Sequence, residues 1–461
     1  MRKDDHLATT SAPQYPKGLP YIVGNEASER FSYYGMRSIL VIFLTKYVVD
    51  SMGNPDHLTA DESKAWFHLF AMGVYLFPII GAFISDAYWG KYRTILRLSM
   101  VYCLGHFCLA LFETRIGFIC GLSLIAVGSG GIKPCVSAHV GDQFDKTNQS
   151  LIDKAFAWFY FSINLGAFAG SLITPILLHN QGPWLAFGVP GILMAVATFL
   201  FWLGRKRFVH VPPVGVAKIK EAVFSPEGLK AVSSLAVLYV FVAFFWALYD
   251  QTGSSWVLQA DAMDRHVDLR FGPFQASWLH FELYASQVQS INPILIMTFV
   301  PLFYNFLFPL VGKWVKITPL RKMGAGFVLT AVAFGIIAVA QAKIDAGQTP
   351  SMIWQLGAYV VITVAEVFIS ITALEFSYTQ APNAIKSIIM GIFFLSVSLG
   401  NFITAAVNIV IQNPDGSSKL TGAEYYWFFT GLVLVAGVLF MIVARFYQEK
   451  THIQTTQEAI D

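Results

Sequence analysis

Residues 20–48 read PYIVGNEASERFSYYGMRSILVIFLTKYV, a stretch of membrane length with four charges between Glu26 and Arg37. Charged side chains are costly to place in lipid, so we expect these four to face a wet interior or one another. The opposite face, with Ile39, Val41 and Ile42 further along the stretch, is apolar and can meet lipid. The spacing i, i+3, i+4, i+7, i+8, i+11 puts the polar residues on one helix face. They are Glu26, Glu29, Arg30, Tyr33, Tyr34 and Arg37. Such a stripe indicates a helix that lines a path for something charged.

Composition places the chain among integral membrane proteins. Of its 461 residues, 55% are hydrophobic, 15% aromatic and 13% charged, and the mean hydropathy is +0.56. The hydrophobic fraction and the mean hydropathy lie above those of soluble globular domains, and the charged fraction lies below theirs. Apolar stretches of about 20 residues, enough to cross the bilayer core, recur along the sequence. We predict an all-α membrane protein with twelve spans, at residues 20–48, 65–85, 93–112, 116–140, 155–179, 184–204, 229–258, 286–311, 323–342, 351–378, 385–411 and 423–447.

The distribution of Lys and Arg predicts the orientation. With the N-terminus inside, the inner loops hold roughly three times as many basic residues as the outer loops, as the positive-inside rule requires. We therefore expect a multi-pass plasma-membrane protein (inner membrane if the source is Gram-negative) with both termini cytoplasmic. The first 19 residues are polar, so we predict no cleavable signal peptide. Because the basic residues lie in separate loops rather than in one patch, nucleic-acid binding has no support.

The sequence divides into two halves of six spans. We predict an N-terminal cytoplasmic segment (1–19), a first bundle (20–204), a cytoplasmic loop (205–228), a second bundle (229–447) and a cytoplasmic tail (448–461). The loop after span two, Gly81–Thr94, reads GAFISDAYWGKYRT, and its counterpart Pro309–Gly326 keeps Gly, Lys and Arg but lacks the Asp. An ordinary basic turn is the alternative for this loop. The repeat and the six-plus-six count resemble the major facilitator superfamily.

The sequence lacks the motifs that several kinds of chemistry require. GSGGIKP (Gly128–Pro134) has the wrong spacing for a phosphate-binding loop, so ATP-driven transport is not expected. The four cysteines (103, 108, 120 and 135) lie in predicted spans without metal-ligand spacing, and we interpret them as small buried hydrophobic residues. We find no pairing of a nucleophile with a base, so no enzyme and no cofactor is expected.

Three charges lie deep in later spans. Lys133 is in span four, Asp250 in span seven and Glu366 in span ten. Neither carboxylate has a basic residue one helical turn away, so each is expected to pair with another helix. The economical pairs are Arg37–Asp250 and Lys133–Glu366, which both join the two halves and could break as the halves rock. The alternative for Lys133 is a side chain that snorkels to the interface.

Neutral polar residues also occur within the spans. His68 in span two could titrate near neutral pH, and Tyr75 lies on the same face, but a lone His is more often structural. Asn164 and Asn292 either hydrogen-bond neighbouring helices or contact a solute. Trp246, one turn before Asp250, either packs in the core or walls a pocket.

These residues occur in motifs that resemble the proton-dependent oligopeptide transporter (POT) family. The most specific is E-x-x-E-R, here Glu26, Glu29 and Arg30, followed by FSYYG. The span-five signature reads FAWFYFSINLGAFAG (Phe156–Gly170). GGIKP, FWALYDQTGS, INPI and EFSYTQAP follow in spans four, seven, eight and ten. With His68, they look closer to the animal peptide-transporter branch, and the resemblance covers essentially all twelve spans.

The resemblance implies roles for single residues. Glu26, Glu29 and Arg30, with His68 and Asp250, would couple transport to protons. Arg37 and Lys133 would receive the carboxyl end of a peptide and Glu366 its amino end. Asn164 and Asn292 would assist, and Tyr33, Tyr34, Tyr75 and Trp246 would line side-chain pockets. Ser370, one turn after Glu366, would face the same site.

Two features depart from many bacterial members of the family. The loop between the halves is too short for the two extra helices that they often carry. Cys135 stands where many of them have Asn, and this difference could alter how the site binds its ligand.

The implied function is a proton-coupled symporter that imports di- and tripeptides by alternating access. Fixed charges would hold the two ends of a peptide, while adaptable aromatic walls tolerate its side chains. The expected partners are peptides, protons and the bilayer, and we expect a functional monomer. Three alternatives stay open: a carrier of nitrate or amino acids, a drug–proton antiporter, and a membrane enzyme or sensor.

Overall fold

The computed structural model describes residues 13–145, 147–268, 270, 277, 280–380 and 386–447. Residues 1–12 of the predicted N-terminal segment and the whole predicted tail lie outside the described residues. The first half contains α1 (Leu19–Lys46), α2 (Ala60–Ile84), α3 (Lys91–Leu111), α4 (Arg115–Gly141), α5 (Ile152–Gln181) and α6 (Pro183–Leu203).

A linker with its own short helix, α7 (Val216–Val223), leads to the second half. The second half contains α8 (Pro226–Tyr249), α9 (Ser255–Asp261), α10 (Ile291–Leu302), α11 (Phe308–Val311), α12 (Pro319–Asp345), α13 (Ile353–Glu366), α14 (Thr372–Gln380), α15 (Lys386–Ile411) and α16 (Ala423–Ala444). Between α9 and α10, β1 (His266–Asp268) pairs antiparallel with β2 (His280–Glu282).

The helices confirm the all-α membrane prediction. In the described residues, 11 helical segments are long and apolar enough to cross a membrane. Helix α1 is the twelfth span: its 28 residues exceed the bilayer thickness, but its charged stripe removes it from a purely apolar count.

Small residues let α1 approach α5 closely. A methyl group added at Gly35 would lie 2.7 Å from Cγ2 of Thr174 and 3.4 Å from Cα of Gly170. The Thr174 hydroxyl also donates to the Gly35 carbonyl at 2.8 Å. Close packing through small residues and hydroxyl hydrogen bonds is how membrane helices associate without a hydrophobic driving force. This contact fixes the rotation of α1 and hence the direction of its polar stripe.

Three predicted spans are interrupted rather than continuous. Span seven breaks at a 3₁₀ turn, Asp250–Gly253, between α8 and α9. Span ten breaks after Glu366 at a π-helical turn, Val367–Ile371, and span eight has a π-helical turn, Phe303–Leu307. Such breaks are tolerated at membrane depth where backbone lines a cavity or is buried in protein. They place Asp250 and Glu366 at helix ends.

Two smaller expectations also differ from the structure. The linker predicted at 205–228 is partly helical, and α8 begins at Pro226 rather than at 229, because Ser225 caps it and Pro226 suits the first turn. Cys120 is exposed rather than buried, whereas Cys135 is buried and Cys103 and Cys108 are partly buried. An outward-facing thiol on a membrane helix meets lipid and needs no internal partner.

Polar contacts between the bundles run from their middle to the end predicted to be extracellular. At the middle, Ser398 donates to the Met72 carbonyl at 3.0 Å. At the outer ends, Lys46 lies 2.5 Å from Asp261. Gln412 donates to the Thr59 hydroxyl at 3.2 Å. These contacts join the two bundles on the predicted extracellular side of a central cavity.

Candidate functional site

A central cavity of about 190 Å³ lies between the two bundles. One water needs roughly 10–15 Å³ by the same kind of measure, so the cavity can hold a small solute with water. Of the residues singled out in the sequence, those that line it are Tyr34, Arg37, Tyr75, Asn164, Trp246, Asp250, Asn292 and Glu366. The two bundles contribute four of these residues each.

Arg37 and Asp250 face each other across the bundle interface. Nη2 of Arg37 lies 2.6 Å from Oδ1 of Asp250, and both side chains are almost fully buried. The guanidinium also lies 5.0 Å from the ring centre of Phe67. Oδ2 of Asp250 accepts a second hydrogen bond from Asn401 at 2.6 Å. Both carboxylate oxygens therefore have partners, as a buried charge requires.

His68 extends this pair into a chain of hydrogen bonds. Its Nδ1 lies 2.8 Å from Oδ1 of Asn401, and its Nε2 lies 2.9 Å from the Ser254 hydroxyl. An amide oxygen only accepts, so Nδ1 carries the proton and Nε2 accepts from Ser254. The chain Arg37–Asp250–Asn401–His68–Ser254 crosses the interface three times, because Arg37 and His68 belong to the first bundle and the other three residues to the second.

Glu366 lies at the end of α13, just before the π-helical turn. Its Oε2 accepts hydrogen bonds from the Tyr249 hydroxyl at 2.9 Å and from Nδ2 of Asn292 at 2.8 Å. Asn292 also donates to Thr363 at 3.1 Å, which fixes the amide. Within the described residues no cation pairs with Glu366, and its Oε1 is available to a further donor. The carboxylate is held in place by neutral groups.

The E-x-x-E-R residues form a second cluster on α1, toward its N-terminal end. Nε of Arg30 lies 2.7 Å from Oε1 of Glu26 and 3.3 Å from Oε2 of Glu29. Ser129 of α4 donates to the other oxygen of Glu29 at 3.1 Å. Both glutamates are buried. One guanidinium thus serves two carboxylates, so a proton on either one would leave the other as its partner.

The expected ion pair between Lys133 and Glu366 is not formed in this structure. The ammonium of Lys133 lies over two rings of its own bundle, 4.2 Å from the centre of Tyr33 and 4.5 Å from that of Tyr75. Cation–π contacts of this kind hold a partly desolvated ammonium without a carboxylate. Lys133 does not snorkel in this arrangement, and its charge stays inside the bundle.

Tyr33 and Ser370 also differ from their predicted places. Tyr33 is fully buried beneath Lys133 and is not among the residues that line the cavity. Ser370 lies in the π-helical turn after Glu366, half-buried and away from the cavity lining. The wider turn adds a residue, so four positions no longer return to the same helix face.

The neutral residues have mixed surroundings. Asn164 lines the cavity but its amide donates to the Tyr160 carbonyl of its own helix at 3.0 Å. Asn292 donates to Thr363 and Glu366 of α13, which is a contact between helices, and it also lines the cavity. Trp246 lines the cavity, and its indole nitrogen has no hydrogen-bond partner within the described chain.

Several residues of the site carried too weak a sequence signal to be found. Tyr249 precedes Asp250 directly, and the turn after α8 is what sends the two side chains to different partners. Ser129 lies inside the glycine-rich run of α4. Asn401 and Ser254 are single polar residues in apolar or mixed surroundings. No group of three His, Cys, Asp or Glu residues that could hold a metal occurs in the described part of the chain.

Two helical bundles around a polar, charge-lined cavity define a membrane protein of the major facilitator type. The model of the POT family, PTR2, matches residues 92–225 and 214–428. The chain belongs to the POT family. A solved structure of an auto-inhibited POT family peptide transporter aligns with a TM-score of 0.84 and 33% identity, over 96% of this chain and 99% of that chain. The POT family transporter PepTSo aligns with a TM-score of 0.81 and 36% identity, over 96% and 100%.

Curated animal proteins are also similar. Mouse solute carrier family 15 member 2 is 35% identical over 381 residues, 72% of this chain and 50% of that protein. Peptide transporter family 1 of Drosophila melanogaster is 37% identical over 377 residues, 72% of this chain and 48% of that protein. The chain thus spans about half the length of the curated relatives it matches. These similarities confirm the predicted family, the predicted fold and the likeness to the animal branch. Because the members of this family are not enzymes, the prediction that the chain is not an enzyme is also confirmed.

Proposed function

We propose that this chain is a proton-coupled symporter that imports di- and tripeptides by alternating access. The observation that carries the proposal is the placement of Glu366, held by neutral groups with one oxygen available, in the same cavity as Arg37. A zwitterionic peptide has an ammonium and a carboxylate at a nearly constant separation. A carboxylate at one side of a cavity and cations at the other suit both ends of such a molecule.

The aromatic lining supports the same substrate class. Tyr34, Tyr75 and Trp246 border the cavity between the charged groups. Lys133 lies directly behind Tyr75, held by rings rather than by a carboxylate. Among the described residues its ammonium forms no ion pair, so it can turn to a peptide carboxylate when the Arg37–Asp250 pair stays closed. Asn164 and Asn292 would add hydrogen bonds to the peptide backbone.

Proton coupling would act through the E-x-x-E-R cluster. When Glu29 takes a proton from outside, Arg30 keeps only Glu26 as its partner and the local field on Lys133 changes. The proton would leave to the inside together with the peptide. One charge that moves down a potential of 100 mV supplies about 2.3 kcal/mol, a useful drive for accumulation. His68 and Asp250 would transmit a change of protonation to the interface between the bundles through their hydrogen bonds with Asn401.

The proposal includes a plasma-membrane location, cytoplasmic termini, action as a monomer and no cofactor besides the proton. The other carriers weighed on sequence grounds make different demands on the cavity. Nitrate or another small anion would need cations but no Glu366. A drug antiporter would use a more apolar cavity with fewer end-binding charges.

Uptake of labelled dialanine into proteoliposomes, with an imposed inward proton gradient, tests the substrate class. Unlabelled dipeptides and tripeptides should compete with the label, and free alanine and nitrate should not. If nitrate or free amino acids displace the label better than dipeptides do, the proposed substrate class is wrong. Empty liposomes and the gradient collapsed by a protonophore serve as controls.

A further inference from the structure

A second cavity lies in the first bundle and shares no lining residue with the central cavity. It has a volume of about 390 Å³ and is bordered by the start of α3, the end of α4 and the linker after α6. Its polar lining comes from Lys91, Arg93, His139 and His210. The charge pattern of the loops predicts that this end of the bundle is cytoplasmic. The transport mechanism uses none of these four residues.

The start of α3 supplies hydrogen-bond donors to this cavity. Gly90, with φ of 73°, turns the chain into the helix and offers no side chain to cap it. The first backbone N–H groups of a helix have no intrahelical acceptor, and an anion satisfies them well. The residues that carry these groups, 91–93, all border the cavity.

The side chains add positive charge and an unused polar group. Arg93 is exposed and forms no ion pair with the described residues, whereas Lys91 is held 2.7 Å from Asp142. His139 is buried, and its Nε2 has no hydrogen-bond partner in the described structure. A buried, unpartnered imidazole nitrogen is costly, so a ligand that reaches this ring would gain from it.

The linker closes the cavity on one side. Val209 donates to Gln143 at 2.9 Å, and Val214 donates to the Asp86 carbonyl at 2.8 Å. Asp86 thus holds the linker through its backbone carbonyl. His210 packs edge-on against Tyr92 with 4.9 Å between ring centres. The lining is therefore built from three separate segments of the chain.

Aromatic residues place the cavity at the level of lipid headgroups. Tyr88 is 60% exposed, one position before the lining residue Trp89. Trp202 is also exposed, and Arg205 stacks on its ring at 3.7 Å. Aromatic side chains and basic groups concentrate where a membrane protein meets the interface. Basic pockets on the cytoplasmic side of membrane proteins bind phosphate headgroups.

We propose that this cavity binds the phosphate headgroup of an anionic membrane lipid. The phosphate accepts from the N-terminal N–H groups of α3 and from Arg93, and the buried His139 ring bounds it on the inner side. Because the linker forms part of the wall, a bound lipid fastens the linker to the first bundle. The proposal does not depend on which solute the transporter carries.

Binding of dioleoyl phosphatidylglycerol to the purified full-length protein, measured by native mass spectrometry, tests this inference. The wild type should retain one molecule at low lipid concentration, and dioleoyl phosphatidylcholine should not displace it. Arg93→Gln should raise the apparent Kd about tenfold, the loss of one charge-assisted contact. His139→Phe, which keeps a ring between Phe201 and Phe208, should also weaken binding.

Lys154→Gln is the charge-matched control, because Lys154 is exposed near the start of α5 and does not border this cavity. It should bind the lipid as the wild type does. Equal binding by Arg93→Gln and Lys154→Gln would show that the retained lipid sits elsewhere and would overturn the proposal. Displacement of the lipid by millimolar inorganic phosphate alone would assign the site to the free anion instead. Size-exclusion profiles verify that each variant is folded.

Discussion

The guanidinium of Arg37 and the carboxylate of Asp250 join the two bundles with 2.6 Å between Nη2 and Oδ1. Both residues border the central cavity and belong to different halves of the chain. The pair therefore links the two bundles and also forms part of the proposed binding site. If the bundles rock about this site, the pair has to break and form again in each cycle.

Removal of one partner from this pair should destabilise the protein more than removal of both. Arg37→Met leaves the Asp250 carboxylate buried with Asn401 as a neutral partner, at a cost of about 3 kcal/mol. The double variant Arg37→Met with Asp250→Leu should recover most of that loss. Denaturant or thermal unfolding in one detergent measures both. A double variant no more stable than Arg37→Met would contradict this account of the pair.

The outer ion pair of Lys46 with Asp261 should matter for movement rather than for stability. Lys46 is about half exposed, so the pair contributes no more than about 1 kcal/mol. A short thiol-reactive cross-linker between Lys46→Cys and Asp261→Cys, in a background without the four native cysteines, should stop dialanine uptake.

Cleavage of a reducible cross-linker should restore that uptake, and Lys46→Cys alone should be insensitive to the reagent. Continued uptake by the fully cross-linked protein would mean that the outer ends do not separate during transport.

Glu366 should determine the requirement for a free amino terminus. Glu366→Gln keeps hydrogen-bonding capacity toward Tyr249 and Asn292 but removes the charge that would receive an ammonium. The wild type should prefer dialanine over N-acetyl-dialanine by at least about tenfold, the worth of one charged contact. The variant should lose most of that preference in competition assays.

Tyr249→Phe is the matched control, because it removes one hydrogen bond from Glu366 and leaves its charge. It should retain the preference for a free amino group. An unchanged preference in Glu366→Gln would exclude Glu366 as the receptor of the amino end.

Lys133 should act through its charge, not through its hydrogen bonds. Lys133→Arg preserves a cation over the rings of Tyr33 and Tyr75, whereas Lys133→Gln does not. Gln should weaken dialanine binding about tenfold and binding of the C-terminally amidated peptide much less. Arg should keep part of the affinity. Equal losses for both peptides would show that Lys133 does not receive the carboxylate.

The sequence was sufficient to predict those features of the fold and the site that follow from the free-energy cost of placing charges in lipid. The stripe of α1 and the twelve spans follow from hydrophobicity and helical spacing. The proximity of Arg37 to Asp250 followed from the need of a buried carboxylate for a cation on another helix. That argument works where one cation and one carboxylate lie at similar depth.

The pair of Lys133 with Glu366 that the same argument predicts is not formed in this structure, and the reason is physical. Tyr33 and Tyr75 offer the ammonium a local alternative, and Tyr249 with Asn292 does so for the carboxylate. No sequence pattern gives the balance between aromatic and ionic partners across a cavity. The π-helical turn that carries Ser370 away from the site was equally invisible, since a single extra residue in a turn leaves no mark on hydropathy.

The polar chain around His68 shows a third limit. His68 was singled out, but Asn401 and Ser254 join it from positions 333 and 186 residues away along the chain. Their partners depend on how α2 packs against α15 and the turn after α8. Long-range packing of this kind becomes visible only in three dimensions.

The central claim is that protons drive peptide transport through the E-x-x-E-R cluster. Proteoliposomes with Glu29→Gln provide the most direct measurement, because Gln keeps the contact with Ser129 but has no proton to exchange. Dialanine uptake driven by an inward proton gradient should fall to the level of empty liposomes. Peptide counterflow without a gradient should remain within about threefold of the wild-type rate. That change is smaller than the tenfold change that corresponds to about 1.4 kcal/mol. Equal loss of both activities, or gradient-driven uptake that persists in the variant, would contradict the account.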